Sequence, residues 1–80
     1  MDNDFNKTKE IVRKELSSFL GIDPEDIEDD FSLTEDLHMK ASDLTDFMEI
    51  LARMNFATSD VDLMEVDTFL EFIEALTAHQ

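Results

Sequence analysis

The chain has no cysteine, one glycine, one proline and only six lysines and arginines. Without cysteine there are no disulfide staples, no thiolate metal ligands and no sulfur nucleophile, so the fold must be held by packing alone. With so few basic side chains the protein is ill suited to nucleic-acid phosphate or to an anionic lipid surface, since both need positive charge. No hydrophobic run approaches the roughly 20 residues of a membrane span. The opening Met1-Asp2-Asn3-Asp4 is acidic where a secretory signal is basic. A soluble, cytoplasmic protein is the expectation.

What is abundant is acid. Asp and Glu number 21, giving a net charge of -15, yet 42% of the residues are hydrophobic, too many for a chain that stays disordered. A length of 80 residues suits one domain, residues 1–80, which at this size buries only about 60% of its unfolded surface. The charge points to a basic protein partner, with long-range attraction speeding encounter. It also favours a monomer, because like-charged surfaces repel.

Apolar residues recur at helical spacing in three places. Ile11, Val12, Leu16, Phe19 and Leu20 share a face over residues 6–20, followed by Gly21 as a left-handed stop and Pro24 as an obstacle to continuation. Leu44, Phe47, Met48, Leu51 and Met54 or Asn55 form a stripe over residues 42–55, with Asp43, Asp46, Glu49 and Arg53 outside. Phe69, Leu70, Phe72, Ile73 and Leu76 do the same over residues 67–78, where Asp67 or Thr68 is the expected cap. Between the first two helices, residues 22–37 read as a long acidic loop anchored by Ile22, Ile27, Phe31, Leu33 and Leu37, with a turn of helix near Pro24. Thr58-Ser59-Asp60 resembles a cap for a short turn at residues 61–65. No strand-like alternation appears, so the fold class is all-α: a small three- to four-helix bundle with a long loop between helices one and two.

Read in order, Leu20-Gly21-Ile22, the acidic Asp23-Pro24-Glu25-Asp26-Ile27, and Phe31-Ser32-Leu33-Thr34-Glu35-Asp36-Leu37 resemble the first half of an acyl carrier protein. The segment Val66-Asp67-Thr68-Phe69-Leu70-Glu71-Phe72-Ile73 is similar to that family's last helix. The resemblance runs from Ile11 to Leu76. It implies an acyl-carrier-like fold and a non-catalytic shuttle. A phosphopantetheine arm from coenzyme A would be attached to a serine at the start of the second helix, and its thiol would carry acyl groups as thioesters. The implied partners are a phosphopantetheinyl transferase and the basic docking surfaces of acyl-processing enzymes. Ser42 is the candidate attachment residue, and Asp43, Asp46 and Glu49 the candidate docking edge, interrupted by Arg53.

The motif departs from the family's pattern. His38 follows Leu37 where the family has glycine, and Ala41-Ser42-Asp43 replaces its "aspartate, serine, leucine". Matching Leu44 to the motif leucine puts Asp43 at the attachment position, an ungapped match from Leu37 puts Ala41 there, and a one-residue insertion anchored on Phe56 puts Ser42 there. The alternative to attachment is that Ser42 serves only as an N-cap, with the chain an arm-less, acidic interaction module that keeps the carrier fold. Phe47, Met48, Phe56, Leu63 and Phe72 either line an acyl cavity or pack a core, the core being favoured, and Met39, Met54 and Met64 suit either as flexible gap-fillers.

Other chemistries find little footing. Asp23 to Asp30 lacks the glycine and spaced ligands of a calcium loop, and His38 and His79 are single and far apart. His38 reads as a turn residue. No serine, histidine and acid arrangement and no glycine-rich phosphate loop is present, so no independent enzyme is expected.

Overall fold

The computed structural model describes residues 3–56, 58 and 61–77, with side-chain burial from residue 5 onward. Among the described residues, three α-helices, α1 Asn3–Leu20, α2 Ala41–Arg53 and α3 Phe69–Thr77, and one turn of 3-10 helix at Pro24–Asp26 make up a small all-α bundle. Among the described residues there is no strand, only one isolated antiparallel bridge between Ser32 and Thr68.

α1 starts three residues earlier than its apolar pattern suggests, and Phe5 packs against the core from that extra turn. It ends as expected. Gly21 sits at φ +75, and the Gly21 and Ile22 N–H groups both donate to the Ser17 carbonyl, at 2.8 and 3.0 Å. A left-handed C′ residue closes orphan carbonyls in this way. α2 ends similarly on Asn55, at φ 71, with the Phe56 N–H returning to the Leu51 carbonyl.

The core gathers one stripe from each helix with anchors from the connecting segment. Val12 and Leu16 of α1, Phe47 and Leu51 of α2, and Phe69, Phe72, Ile73 and Leu76 of α3 are all buried, together with Ile27, Leu33 and Met39. Burying each such side chain contributes about 1.5–3 kcal/mol before the entropy of ordering is set against it. The rings of Phe19, Phe47 and Phe72 run in sequence through the interior, with centroids 5.6 and 6.1 Å apart and tilted planes. α2 and α3 meet through the second of these contacts.

Some expected core positions are elsewhere. Ile11 lies at the edge of its stripe and is 37% exposed, while Thr8 and Ser17 are buried on the face that Val12 and Leu16 define. The Ser17 hydroxyl satisfies itself on the Lys14 carbonyl at 2.6 Å. Ile22 is 38% exposed and is not an anchor, whereas Met39, not among the expected anchors, is buried. Met54 is half-buried and Met64 almost wholly exposed. Residues 61–66 form a single hydrogen-bonded turn rather than a helix, with the Asp62 carboxylate accepting from the Met64 N–H at 2.9 Å. Ser59 and Asp60, expected to help cap that turn, lie outside the described residues, as does Ala78 at the end of the last helix.

Residues 21–40 link α1 to α2 and run between the middle of α1 and the start of α3. Their middle is sewn to the start of α3. The Leu33 N–H donates to the Asp67 carbonyl, the Phe69 N–H to the Phe31 carbonyl and the Leu70 N–H to the Asp29 carbonyl, each at 2.9 Å. The buried Ser32 hydroxyl donates to the Asp67 carboxylate at 2.9 Å, and the Ser32 N–H donates to Asp36 at 2.7 Å. α1 joins the same seam from the other side. Lys9 reaches Asp29 at 3.0 Å, Arg13 pairs with the same carboxylate, and the Arg13 guanidinium lies over the Phe69 ring at 5.3 Å.

Candidate site at the start of helix α2

The turn that leads into α2 is set by His38, which occupies the left-handed region at φ 59. Only glycine takes that conformation without steric cost, so a histidine here carries a local penalty. The Met39 N–H then donates to the Leu33 carbonyl at 3.0 Å, and Met39 drops into the core. Lys40 follows with extended backbone (φ -92, ψ 170) and is the N-cap residue.

Lysine has no acceptor on its side chain, so only the reverse half of a capping box forms. The Asp43 carboxylate, one turn into the helix, accepts the Lys40 N–H at 2.9 Å. The first helical bond runs from the Leu44 N–H to the Lys40 carbonyl at 3.0 Å. Ser42 is therefore not the N-cap. It is the second residue of the helix, exposed, and its hydroxyl makes no hydrogen bond among the described residues.

The two helix starts that face the connecting segment differ in how their backbone donors are used. At α3 all four leading N–H groups are taken: Thr68 by Glu71, Phe69 by Phe31, Leu70 by Asp29 and Glu71 by the Thr68 hydroxyl. At α2 the Lys40 N–H is taken, whereas those of Ala41, Ser42 and Asp43 have no acceptor among the described residues. These free donors and the partial positive charge of the helix end lie around an exposed hydroxyl, with the Lys40 side chain, also exposed, just before them. A phosphodiester on the Ser42 oxygen is chemically compatible with that setting.

Of the candidate docking residues, Asp46 and Glu49 are exposed along α2, and Asp43 is half-buried with its carboxylate engaged on Lys40. Arg53 is exposed at the far end of the same helix.

Beneath the site, Leu16, Leu33, Met39, Leu44, Phe47 and Phe72 surround an apolar niche with no room for a water molecule. Of the residues considered for a cavity wall, Phe47 and Phe72 take part, whereas Met48, Phe56 and Leu63 pack half-buried against the core instead. Among the described residues no three histidine or acidic side chains converge to hold a metal ion, and no helix is long and apolar enough to cross a membrane.

No family model, curated protein or solved structure matches this chain.

Proposed function

We propose that the protein is an acyl-carrier-like shuttle, modified on Ser42 with phosphopantetheine from coenzyme A. The reading is supported by the exposed, unbonded Ser42 hydroxyl among the free N–H groups of Ala41, Ser42 and Asp43. In the transfer, the Ser42 oxygen attacks the pyrophosphate of coenzyme A at the phosphorus nearer the pantetheine. A new P–O bond forms, 3′-phosphoadenosine 5′-phosphate leaves, and the hydroxyl proton passes to a base on the transferase. When bound, the arm supplies a thiol that holds acyl groups as thioesters. The chain's own part is to present the arm from a rigid helix end and to offer Asp46 and Glu49, with Asp43 beside them, to basic enzyme surfaces. It performs no catalysis itself, and a monomer in the cytoplasm suits the role.

A second reading is favoured by the left-handed His38, which takes up the conformation that suits the glycine of the family pattern. Counting on from there without a gap puts Ala41 at the attachment position. The chain would then be an arm-less module that binds a basic protein through its acidic face.

Incubation of the apo-protein with coenzyme A and a promiscuous phosphopantetheinyl transferase, followed by intact mass and peptide mapping, separates the two. The carrier reading expects one arm on the peptide containing Ser42 and none in Ser42→Ala. No adduct under conditions that fully modify a control carrier supports the arm-less module.

A further inference from the structure

We infer that residues 22–37 form a strap that opens as one unit, hinged at Gly21 and His38 and latched by Asp29. This holds whichever reading of Ser42 is correct. The two ends of the segment are the left-handed residues Gly21 and His38, at φ 75 and 59. On the side where a Cβ would project from Gly21 no other described atom lies within 4 Å, so only the bonds of the Gly21 and Ile22 N–H groups to the Ser17 carbonyl hold this end. His38 is exposed and leaves a strained conformation when the segment swings out.

The middle is held closed by charge. The strap bears exposed Asp23, Glu25, Asp26, Glu28 and Asp30, in a chain of net charge -15, and this repulsion favours opening. Against it, two of the six basic residues converge on the single Asp29 carboxylate. Lys9 and Arg13 are well covered, at 17% and 18% side-chain exposure, while Asp29 itself is at 40%. The same residue's carbonyl takes the Leu70 N–H, so release of Asp29 also frees the first turn of α3. Opening lifts Ile27 and Leu33 away from the core and uncovers the niche walled by Leu16, Phe47 and Phe72.

Native-state hydrogen exchange on the full chain tests this, because sub-global opening exposes one contiguous set of amides before the rest. The Leu33, Phe69 and Leu70 N–H groups, which bridge strap and α3, should exchange several-fold faster than the Leu16 and Leu51 N–H groups inside α1 and α2. Asp29→Asn should speed the first set and leave the second unchanged. Lys9→Met, which leaves the Arg13 pair intact, should do the same more weakly and serves if Asp29→Asn fails to fold. His38→Gly should slow the first set. Exchange of all five amides at one common rate, equal acceleration of both sets by the latch variants, or no acceleration of the first set would each overturn the proposal.

Discussion

Thr68 and Glu71 hold each other's backbone across the first turn of α3. The Glu71 N–H donates to the Thr68 hydroxyl at 3.1 Å, and the Glu71 carboxylate accepts the Thr68 N–H at 3.2 Å and the Asp67 N–H at 2.9 Å. This is a complete capping box, with Thr68 rather than Asp67 as the N-cap. The bonds from the Asp67 and Thr68 N–H groups lower the Glu71 pKa below its ordinary value of 4.5.

That lowering makes the cap pH-dependent in a fixed direction. A carboxyl group whose folded pKa lies below its unfolded one stabilises fully above the unfolded value and loses its contribution as pH falls through the folded value. Glu71→Ala should therefore melt below the wild type at neutral pH, with the gap narrowing as pH falls below about 4.5. Thermal melts at neutral and acid pH check it, and a gap that is constant or widens toward acid contradicts the capping role.

His38 should be improved by glycine. Relief of the left-handed penalty, about 1–2 kcal/mol, outweighs the extra freedom glycine gives the unfolded chain, about 0.4–1 kcal/mol. His38→Gly is expected to raise stability by about 0.5–1 kcal/mol, read as a melting temperature a few degrees higher. A β-branched residue at the same place, His38→Val, should lower it.

Ser42 and Asp43 should separate chemistry from stability. Ser42→Ala removes an exposed hydroxyl with no bond among the described residues and should change unfolding free energy by less than about 0.5 kcal/mol. Asp43→Ala removes both the acceptor for the Lys40 N–H and a negative charge at the helix start. Its expected cost is about 0.5–1.5 kcal/mol. Denaturant titration of the pair checks the order, and a Ser42→Ala loss as large as that of Asp43→Ala would restore Ser42 as a capping residue.

Two apolar residues that look equivalent in composition should behave oppositely. Phe72 is 2% exposed and in ring contact with Phe47, so Phe72→Ala should cost about 3–5 kcal/mol. A domain of this size has only about 4–12 kcal/mol in all. Ile22→Ala, at a residue 38% exposed, should stay within about 0.5 kcal/mol. Urea midpoints of the two variants measure the difference.

The helices, the end of α1 and the start of α3 are legible because their signals are local. Three apolar stripes, the left-handed stop at Gly21 and the Thr68 cap all act within a turn or two of chain. Periodicity does not decide between Ile11 and Thr8 for the buried face, because both border the stripe and only the folded packing selects one. The cap of α2 is hidden from periodicity for a related reason. Lysine gives no capping signal, and Asp43 supplies the bond from inside the helix, so Ser42 looked like the cap. The pairing of Ser32 with Asp67 spans 35 residues and leaves no trace in local composition. Nor does convergence of Lys9 and Arg13 on Asp29, which needs the folded path of residues 21–40 before any of the three is near another.

The sealing of α3 by Phe31 and Asp29 bears on how the chain folds. Helix bundles usually fold fast because their contacts are close in sequence. Here the first turn of α3 completes its hydrogen bonding only after a loop of 38 or more residues has closed, as the Phe69 and Leu70 N–H groups donate to carbonyls that precede α2 in the chain. Closure entropy must be overcome before that turn gains its partners, so α3 should consolidate late, after α1 and the connecting segment have met.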